Sequence, residues 1–264
     1  MAVFGVLNLR ENKKYLIFDQ LLTKLTISMK KIKVVFSTGA GVSAESGVKT
    51  FRDADGLWEN YPVMQVASAE GFAADPALVH EFYNARRRQL LEVEPNEAHR
   101  LIAELAEDPR FEVKVITQNV DDLHERAGSK DVLHLHGELM KIRSIKDEDY
   151  IEELSADDIE TTPERRGKNG HPMRPHIVFF NEAVPKIVDA MQLAAEADIF
   201  VVIGTSLVVY PAAGLMSCVA KGTPIYYIDP NPASTVGVAE VTVIRDKASA
   251  GMKKLIDILG SKYK

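Results

Sequence analysis

At 264 residues and 46% hydrophobic content, the chain can bury a substantial core, as one large domain with a smaller module attached. A formal net charge of −6, from 38 acidic and 32 basic side chains, gives no footprint for a nucleic-acid backbone. One cysteine, Cys218, excludes an intrachain disulfide framework, and no run reaches the length of a membrane span, so a reducing, cytoplasmic setting is expected.

Residues 1–28 are a mixed apolar and charged extension ending just before Met29, which is the expected natural start. The alternative is a genuine N-terminal helix packed on the domain. The first firm element is the buried strand 33–37, which runs into Thr38-Gly39-Ala40-Gly41, the opening of a nucleotide-binding βαβ unit. Residues 62–100 read as helical. A second strand, 113–116, ends in Thr117-Gln118-Asn119. Residues 140–176 are charged and rich in turn formers, and their acidic residues from Asp147 to Glu160 read as a solvated helix face. Further strands are expected at 199–203, ending in Gly204-Thr205-Ser206, at 224–228, ending in Asp229-Pro230-Asn231, and at 241–244. Between the last strands, the small-residue stretch around Cys218 reads as helical core.

Apolar runs alternating with helical segments predict an α/β fold, a Rossmann-like parallel sheet with flanking helices. Its core would take 29–61, 101–139 and 177–264, and the insertions 62–100 and 140–176 would form a smaller lobe. Ligands of such sheets gather beyond the strands' carboxyl ends, where all four polar clusters fall.

The glycine loop continues as Gly39-Ala40-Gly41-Val42-Ser43-Ala44-Glu45-Ser46-Gly47, then Thr50-Phe51-Arg52 and Asp55-Gly56-Leu57-Trp58. This run resembles the sirtuin signature. Thr117-Gln118-Asn119-Val120-Asp121 is similar to that family's second motif, Leu135-His136-Gly137-Glu138 to its histidine motif, and Gly204-Thr205-Ser206-Leu207 with Tyr210-Pro211-Ala212-Ala213 to its third cofactor segment. The order of the motifs also matches.

The resemblance implies an NAD-dependent protein-lysine deacylase acting on acylated lysine side chains of proteins, with no nucleic-acid or membrane partner. The acyl oxygen would attack C1′ of the nicotinamide ribose, nicotinamide would leave, and the acyl group would end on ADP-ribose. His136 would be the general base, suited by a pKa near neutrality, with Asn119 and Asp121 lining the nicotinamide pocket and His134 structural. The cofactor-binding set is Gly39, Ala40, Gly41, Ser43, Ala44, Glu45, Phe51, Arg52, Trp58, Gln118, Gly204, Thr205, Ser206, Asp229, Asn231 and Ala248. Asp229 and Asn231 depart from the family's Asn and Glu at the fourth segment.

Tyr83 and Arg86, three apart on one helix face, resemble the pair of the desuccinylase and demalonylase branch, in which a guanidinium takes a distal carboxylate. Ala67 would leave room for a longer acyl chain, and Arg87 and Arg88 read otherwise as a solvated basic face. Val178 and Phe180 belong to a segment resembling the one that pairs with substrate peptide, with Asn181 where Gly is common. Most sirtuins hold zinc with four cysteines in the region matching 140–176. This chain has none there, with Ser144 near the first such position, so no structural metal is expected. The rivals are a non-catalytic NAD or ADP-ribose binding module and a mono-ADP-ribosyltransferase.

Overall fold

The computed structural model describes residues 30–49, 57–58, 61–235 and 240–264. The extension 1–28, together with Phe51 and Arg52, lies outside the described residues.

Five expected strands form close to their expected bounds: β1 (Ile32–Thr38), β4 (Phe111–Thr117), β9 (Ile199–Ile203), β10 (Ile225–Ile228) and β11 (Val241–Ile244). The central strands β1, β9 and β10 are apolar and buried on both faces over most of their length, which suits a sheet covered on both sides. By contrast, β4 alternates with Glu112 and Lys114, and β11 is largely exposed. A sixth strand, β5 (Val132–His134), is too short to stand out in the sequence. All six pair in parallel in the order β11-β10-β9-β1-β4-β5. The short β2 (Leu57–Trp58) and β3 (Tyr61–Pro62) form a separate antiparallel pair, with Trp58 opposite Tyr61.

Helices fill both faces of the large sheet. On one side α4 (Glu97–Glu107) and α7 (Ala248–Lys262) pack on Val34, Phe36, Val113, Val201 and Ile228. On the other α6 (Ile187–Ala195) and a 3-10 helix, Ala212–Cys218, cover Val35, Phe200, Val202 and Tyr227. Cys218, expected in the core, is instead half-buried at the end of that 3-10 helix. Among the described residues no helix is long and apolar enough to cross a membrane.

The smaller lobe combines α1 (Val63–Val66), α2 (Ala69–Ala74) and α3 (Pro76–Glu92) with the antiparallel sheet β7-β6-β8: β6 (Gly137–Ser144), β7 (Ile151–Glu153) and β8 (Met173–Ile177). The acidic stretch read as a helix face is therefore a strand flanked by turns. Its carboxylates hold partners across that lobe: Asp158 pairs with Arg165, Glu160 with Arg88, and Glu152 accepts from Tyr150 and Lys168. Ser144 is fully buried, and its hydroxyl accepts from the amides of Lys146 and Asp147 at 3.1 and 3.2 Å, closing the turn after β6. A small core of Ile142, Leu154 and Met173 sits beneath. No group of three or more His, Cys, Asp or Glu side chains arranged to hold a metal occurs among the described residues.

The sheet reverses its winding between β1 and β9, and the turns leaving these strands lie back to back. Gly39 N–H donates to Ile203 C=O at 3.0 Å and Gly41 N–H to Gly204 C=O at 2.8 Å. A Cβ on Gly41 would stand 2.6 Å from Gly204 Cα. At Gly204, φ is +61° and a Cβ would come within 2.4 Å of Val42 N, backbone that cannot swing aside. The glycines thus serve contact between two loops. Gly204→Ala is expected to cost roughly 3 kcal/mol or more, from strain plus overlap. A thermal or denaturant melt checks this, and an unchanged midpoint would contradict it.

Candidate functional site

Because every strand of the large sheet runs the same way, Thr38, Thr117, His134, Gly204 and Asp229 emerge on one edge. After β1 the chain does not enter a long α-helix. Two single 3-10 turns, Ala40–Val42 and Ala44–Ser46, carry it instead, leaving Ala44 and Glu45 exposed and Ser43 fully buried between them.

Ser43 is the hub of a buried polar network. Its hydroxyl donates to Asp121 Oδ2 at 3.0 Å and accepts from Asn119 Nδ2 at 3.0 Å. His99 Nε2 lies 3.4 Å from the same oxygen. Asn96 caps α4, and its N–H reaches back to His99 Nδ1 at 3.3 Å, so that nitrogen accepts and Nε2 carries the proton toward Ser43. Burial pulls the His99 pKa down to about 4 and holds His124, 4.8 Å away ring to ring, well below its ordinary value. Both are neutral. His124 Nε2 meets Thr38 Oγ1 at 3.1 Å. Neither His99 nor His124 belongs to the site predicted from sequence. The Asn96-x-x-His99 spacing, a cap with its reciprocal partner, was the available signal.

Asp121 is almost wholly buried, and burial pushes its pKa up to about 6, against the Ser43 hydroxyl and the N–H of Leu123, the first residue of α5 (Leu123–Arg126), which favour the carboxylate. A group poised there is a functional-site feature.

Two histidines leave β5 on opposite electrostatic courses. His134 Nδ1 lies 3.1 Å from Asn119 C=O and its Nε2 2.8 Å from Glu125. Neither partner offers a proton, so both nitrogens donate and the ring is an imidazolium. Its pKa is raised despite burial, chiefly by Glu125. His136 Nδ1 donates to Gln118 C=O at 3.0 Å, and its pKa is lowered by burial. That carbonyl fixes the neutral tautomer and leaves the Nε2 lone pair available. The two imidazoles thus differ in protonation and in which nitrogen is engaged.

The remaining predicted residues fall around this edge. Gln118 Nε2 donates to Thr205 Oγ1 at 3.3 Å, which also takes Leu207 N–H. Ser206 is half-buried beside it. Asp229 is buried and accepts from Asn231 N–H at 2.8 Å, while the Asn231 side chain is exposed. Glu45 accepts from Ser249 N–H at 2.9 Å, joining the 3-10 turns to the start of α7, where Ala248 is buried.

On the lobe side, Val178 N–H donates to His136 C=O at 2.9 Å, and Phe180 N–H to Ala67 C=O at 2.8 Å. Ala69 N–H takes the Phe180 carbonyl, so Phe180 pairs with 67–69 in both directions. Asn181 follows with φ +70°, the left-handed region that Asn tolerates best after Gly. A cleft between lobe and sheet is lined by Val48, Lys49, Arg86, Gln89, Leu90, Val120, Asp121 and Leu139. Arg86 enters it, its guanidinium 5.3 Å from the Phe82 ring centre. Tyr83 does not line this cleft. It lies fully buried behind, stacked 5.9 Å from Phe179, with burial pushing its hydroxyl well above the usual range. The expected basic face divides three ways: Arg86 in the cleft, Arg87 wholly buried, and Arg88 on the surface with Glu81 and Glu160.

Residues 39–211 match the Sir2 family model. This chain belongs to the Sir2 family. It is 54% identical over 229 residues to an NAD-dependent protein deacylase of Bacteroides thetaiotaomicron, covering 86% of this chain and 97% of that protein. A Helicobacter pylori protein of the same name is 48% identical over 227 residues, covering 84% and 95%. Among solved structures, a Sir2 homolog–NAD complex superposes with TM-score 0.76 at 37% identity, covering 92% of this chain and 94% of that one. A Sir2 homologue mutant with ADP-ribose gives 0.78 at 38%, covering 88% and 93%. The Rossmann-like Sir2 fold accounts for the sheet and both helix layers.

The buried Asp121 charge opposes folding. Its folded pKa of about 6 lies above the ordinary 3.8, so the penalty is absent below pH 4 and complete above pH 6. Asp121→Asn is expected to raise stability at pH 7–8 by about 1–3 kcal/mol, with the difference from the native protein closing as pH falls to 4. Melting curves across pH test this, and a difference independent of pH would refute it.

Proposed function

We propose that this chain is an NAD-dependent protein-lysine deacylase that accepts acidic acyl groups, succinyl and malonyl, as well as acetyl, and releases nicotinamide and O-acyl-ADP-ribose. The observation that carries the reading is His136, a neutral imidazole with its Nδ1 proton tied to Gln118 and its Nε2 lone pair available. Relatives named NAD-dependent protein deacylases and neighbours solved with NAD or ADP-ribose support it. So does a Sir2 mutant bound to a p53 peptide and NAD, 28% identical with TM-score 0.72, covering 92% of this chain and 99% of that one.

The site suits such a co-substrate on its own chemistry. The side chains of Thr205, Gln118 and Ser206 carry donors suited to phosphate and ribose oxygens, and Asn119 and Asp121 offer a carboxamide a donor and an acceptor. NAD supplies a ribose whose C1′–nitrogen bond breaks, leaving C1′ to be taken by the acyl oxygen. The Nε2 of His136 takes a proton from a ribose hydroxyl, whose oxygen adds to the acyl carbon. Water then adds there, the bond to the lysine nitrogen breaks, the lysine leaves as a free amine and the acyl group stays on ADP-ribose. Ser43 holds the largely buried Asn119 and Asp121 in fixed positions, so their dipoles need little reorganisation when charge develops. Phe51 and Arg52 complete the expected cofactor set.

Acyl preference rests on Arg86. It stands in the cleft that also holds Asp121, and a guanidinium there gives a distal carboxylate a charge-assisted, two-pronged partner. Tyr83, buried behind it, keeps a neutral phenol. Ala67 does not line that cleft: it is buried beside it, paired with Phe180, so the room its small side chain would leave for a longer acyl chain is an inference from the sequence.

His136→Ala is expected to cut nicotinamide release from NAD and a succinyl-lysine peptide by about 10²–10⁴-fold. An undiminished rate would overturn the enzymatic reading. In the native protein, acyl-ADP-ribose is expected. Radiolabelled protein in its place would indicate a transferase, and binding without turnover a sensor module. Arg86→Met should depress desuccinylation at least about tenfold more than deacetylation, since one charge-assisted contact is lost only with the acidic acyl group. Equal losses on the two peptides would remove the carboxylate clamp.

A further inference from the structure

We infer that Arg87, which touches neither cleft nor surface, is the positioning residue that sets the height of Arg86 in the acyl pocket, an inference that rests on the carboxylate reading of Arg86. The two are consecutive on α3 but face opposite ways: Arg86 lines the cleft, while Arg87 is 0% exposed. Arg87 Nε donates to Leu139 C=O at 2.7 Å, and Leu139 belongs to β6 and lines the same cleft. One guanidinium nitrogen therefore fixes the distance between the helix carrying Arg86 and the strand opposite it.

The other side of the fork grips the lobe. The two protons of Nη1 face three oxygens, Asn84 Oδ1 at 2.8 Å, Ile159 C=O at 3.1 Å and Thr161 Oγ1 at 3.1 Å, so one proton is shared. Asn84 and Thr161 then lock each other, Asn84 Nδ2 to Thr161 C=O at 2.9 Å and Thr161 N–H to Asn84 Oδ1 at 3.0 Å, with His80 Nδ1 on the Thr161 hydroxyl at 2.8 Å. These acceptors are neutral oxygens, and although burial lowers the Arg87 pKa to about 10, the group keeps its proton at neutral pH. A rigid planar fork holding three segments at once is a device that a flexible ammonium cannot copy. If the fork is lost, α3 is free to shift against β6, and displacement of about 1 Å is enough to spoil recognition of a small carboxylate.

The test uses the full chain with NAD and two peptides of one sequence, succinylated and acetylated. Arg87→Lys keeps the charge and loses the fork. Thr161→Val removes one acceptor of the fork, lies outside the cleft lining and nearly preserves shape, so it carries the test if Arg87→Lys fails to fold. Both variants are expected to raise KM for the succinyl peptide about tenfold while the acetyl KM stays within about twofold. Equal changes on both peptides, or a lowered melting point with unchanged selectivity, would overturn the inference. Arg86→Met measured alongside separates the two claims. If Arg86→Met is selective and the other two are not, only the positioning role falls. If Arg86→Met is itself unselective, the carboxylate clamp falls and the positioning role with it.

Discussion

Three residues without side chains, Gly39, Gly41 and Gly204, hold the molecule's working edge together. Where the sheet reverses its winding, two loops must leave neighbouring strands from nearly the same place. They do so by placing backbone on backbone, with amides of one loop bonded to carbonyls of the other. Everything nearby inherits that fixed crossing. Ser43 is buried because the turn after Gly41 folds back, Thr205 meets Gln118 because Gly204 turns left-handed, and Glu45 reaches α7 because the second 3-10 turn ends outside. A glycine loop of this sort is usually credited to a nearby pyrophosphate. Here the nearer constraint is protein.

On that edge, partners decide protonation more than residue type does. His134 and His136 are two positions apart and both largely shielded from water, yet one is an imidazolium and the other a neutral imidazole. The difference is one carboxylate, Glu125, at the far nitrogen of His134. Ser43 works in the same way: by accepting from Asn119 and His99 it keeps its own proton for Asp121. A buried carboxylate poised near pH 6 costs stability, and such cost is common where a fold has been shaped for chemistry.

The parallel sheet was legible because its strands are continuous Val- and Ile-rich runs closed by polar residues, a pattern little else produces. Strands β5 and β8 were not, since three residues at 132–134 and a run containing Pro175 carry no periodicity. The acidic stretch from Asp147 misled for a related reason. Charge on a helix surface and charge on a turn-rich antiparallel sheet look alike when hydrophobic residues are sparse. The glycine turn, Gln118 and His136, far apart in the chain, meet at one edge of the sheet. The triple arginine did not separate in the sequence, because burial of Arg87 depends on carbonyls from Leu139 and Ile159, distant in the chain. The same holds for His99, whose role arises only when α4 is capped against the turn after β1.

The last helix is fastened at both ends. Its first turn meets Glu45 at the sheet's carboxyl edge, and its end meets Arg110 and packs edge-on to Phe111, 6.2 Å ring to ring, where β4 begins. Its 15 residues make a rod roughly 22 Å long spanning the sheet from one edge to the other. A linker attached after Lys264 would therefore leave from the side facing away from His136. Protein tethered to a bead or sensor surface through that end would present its cleft outward, open to large acylated partners.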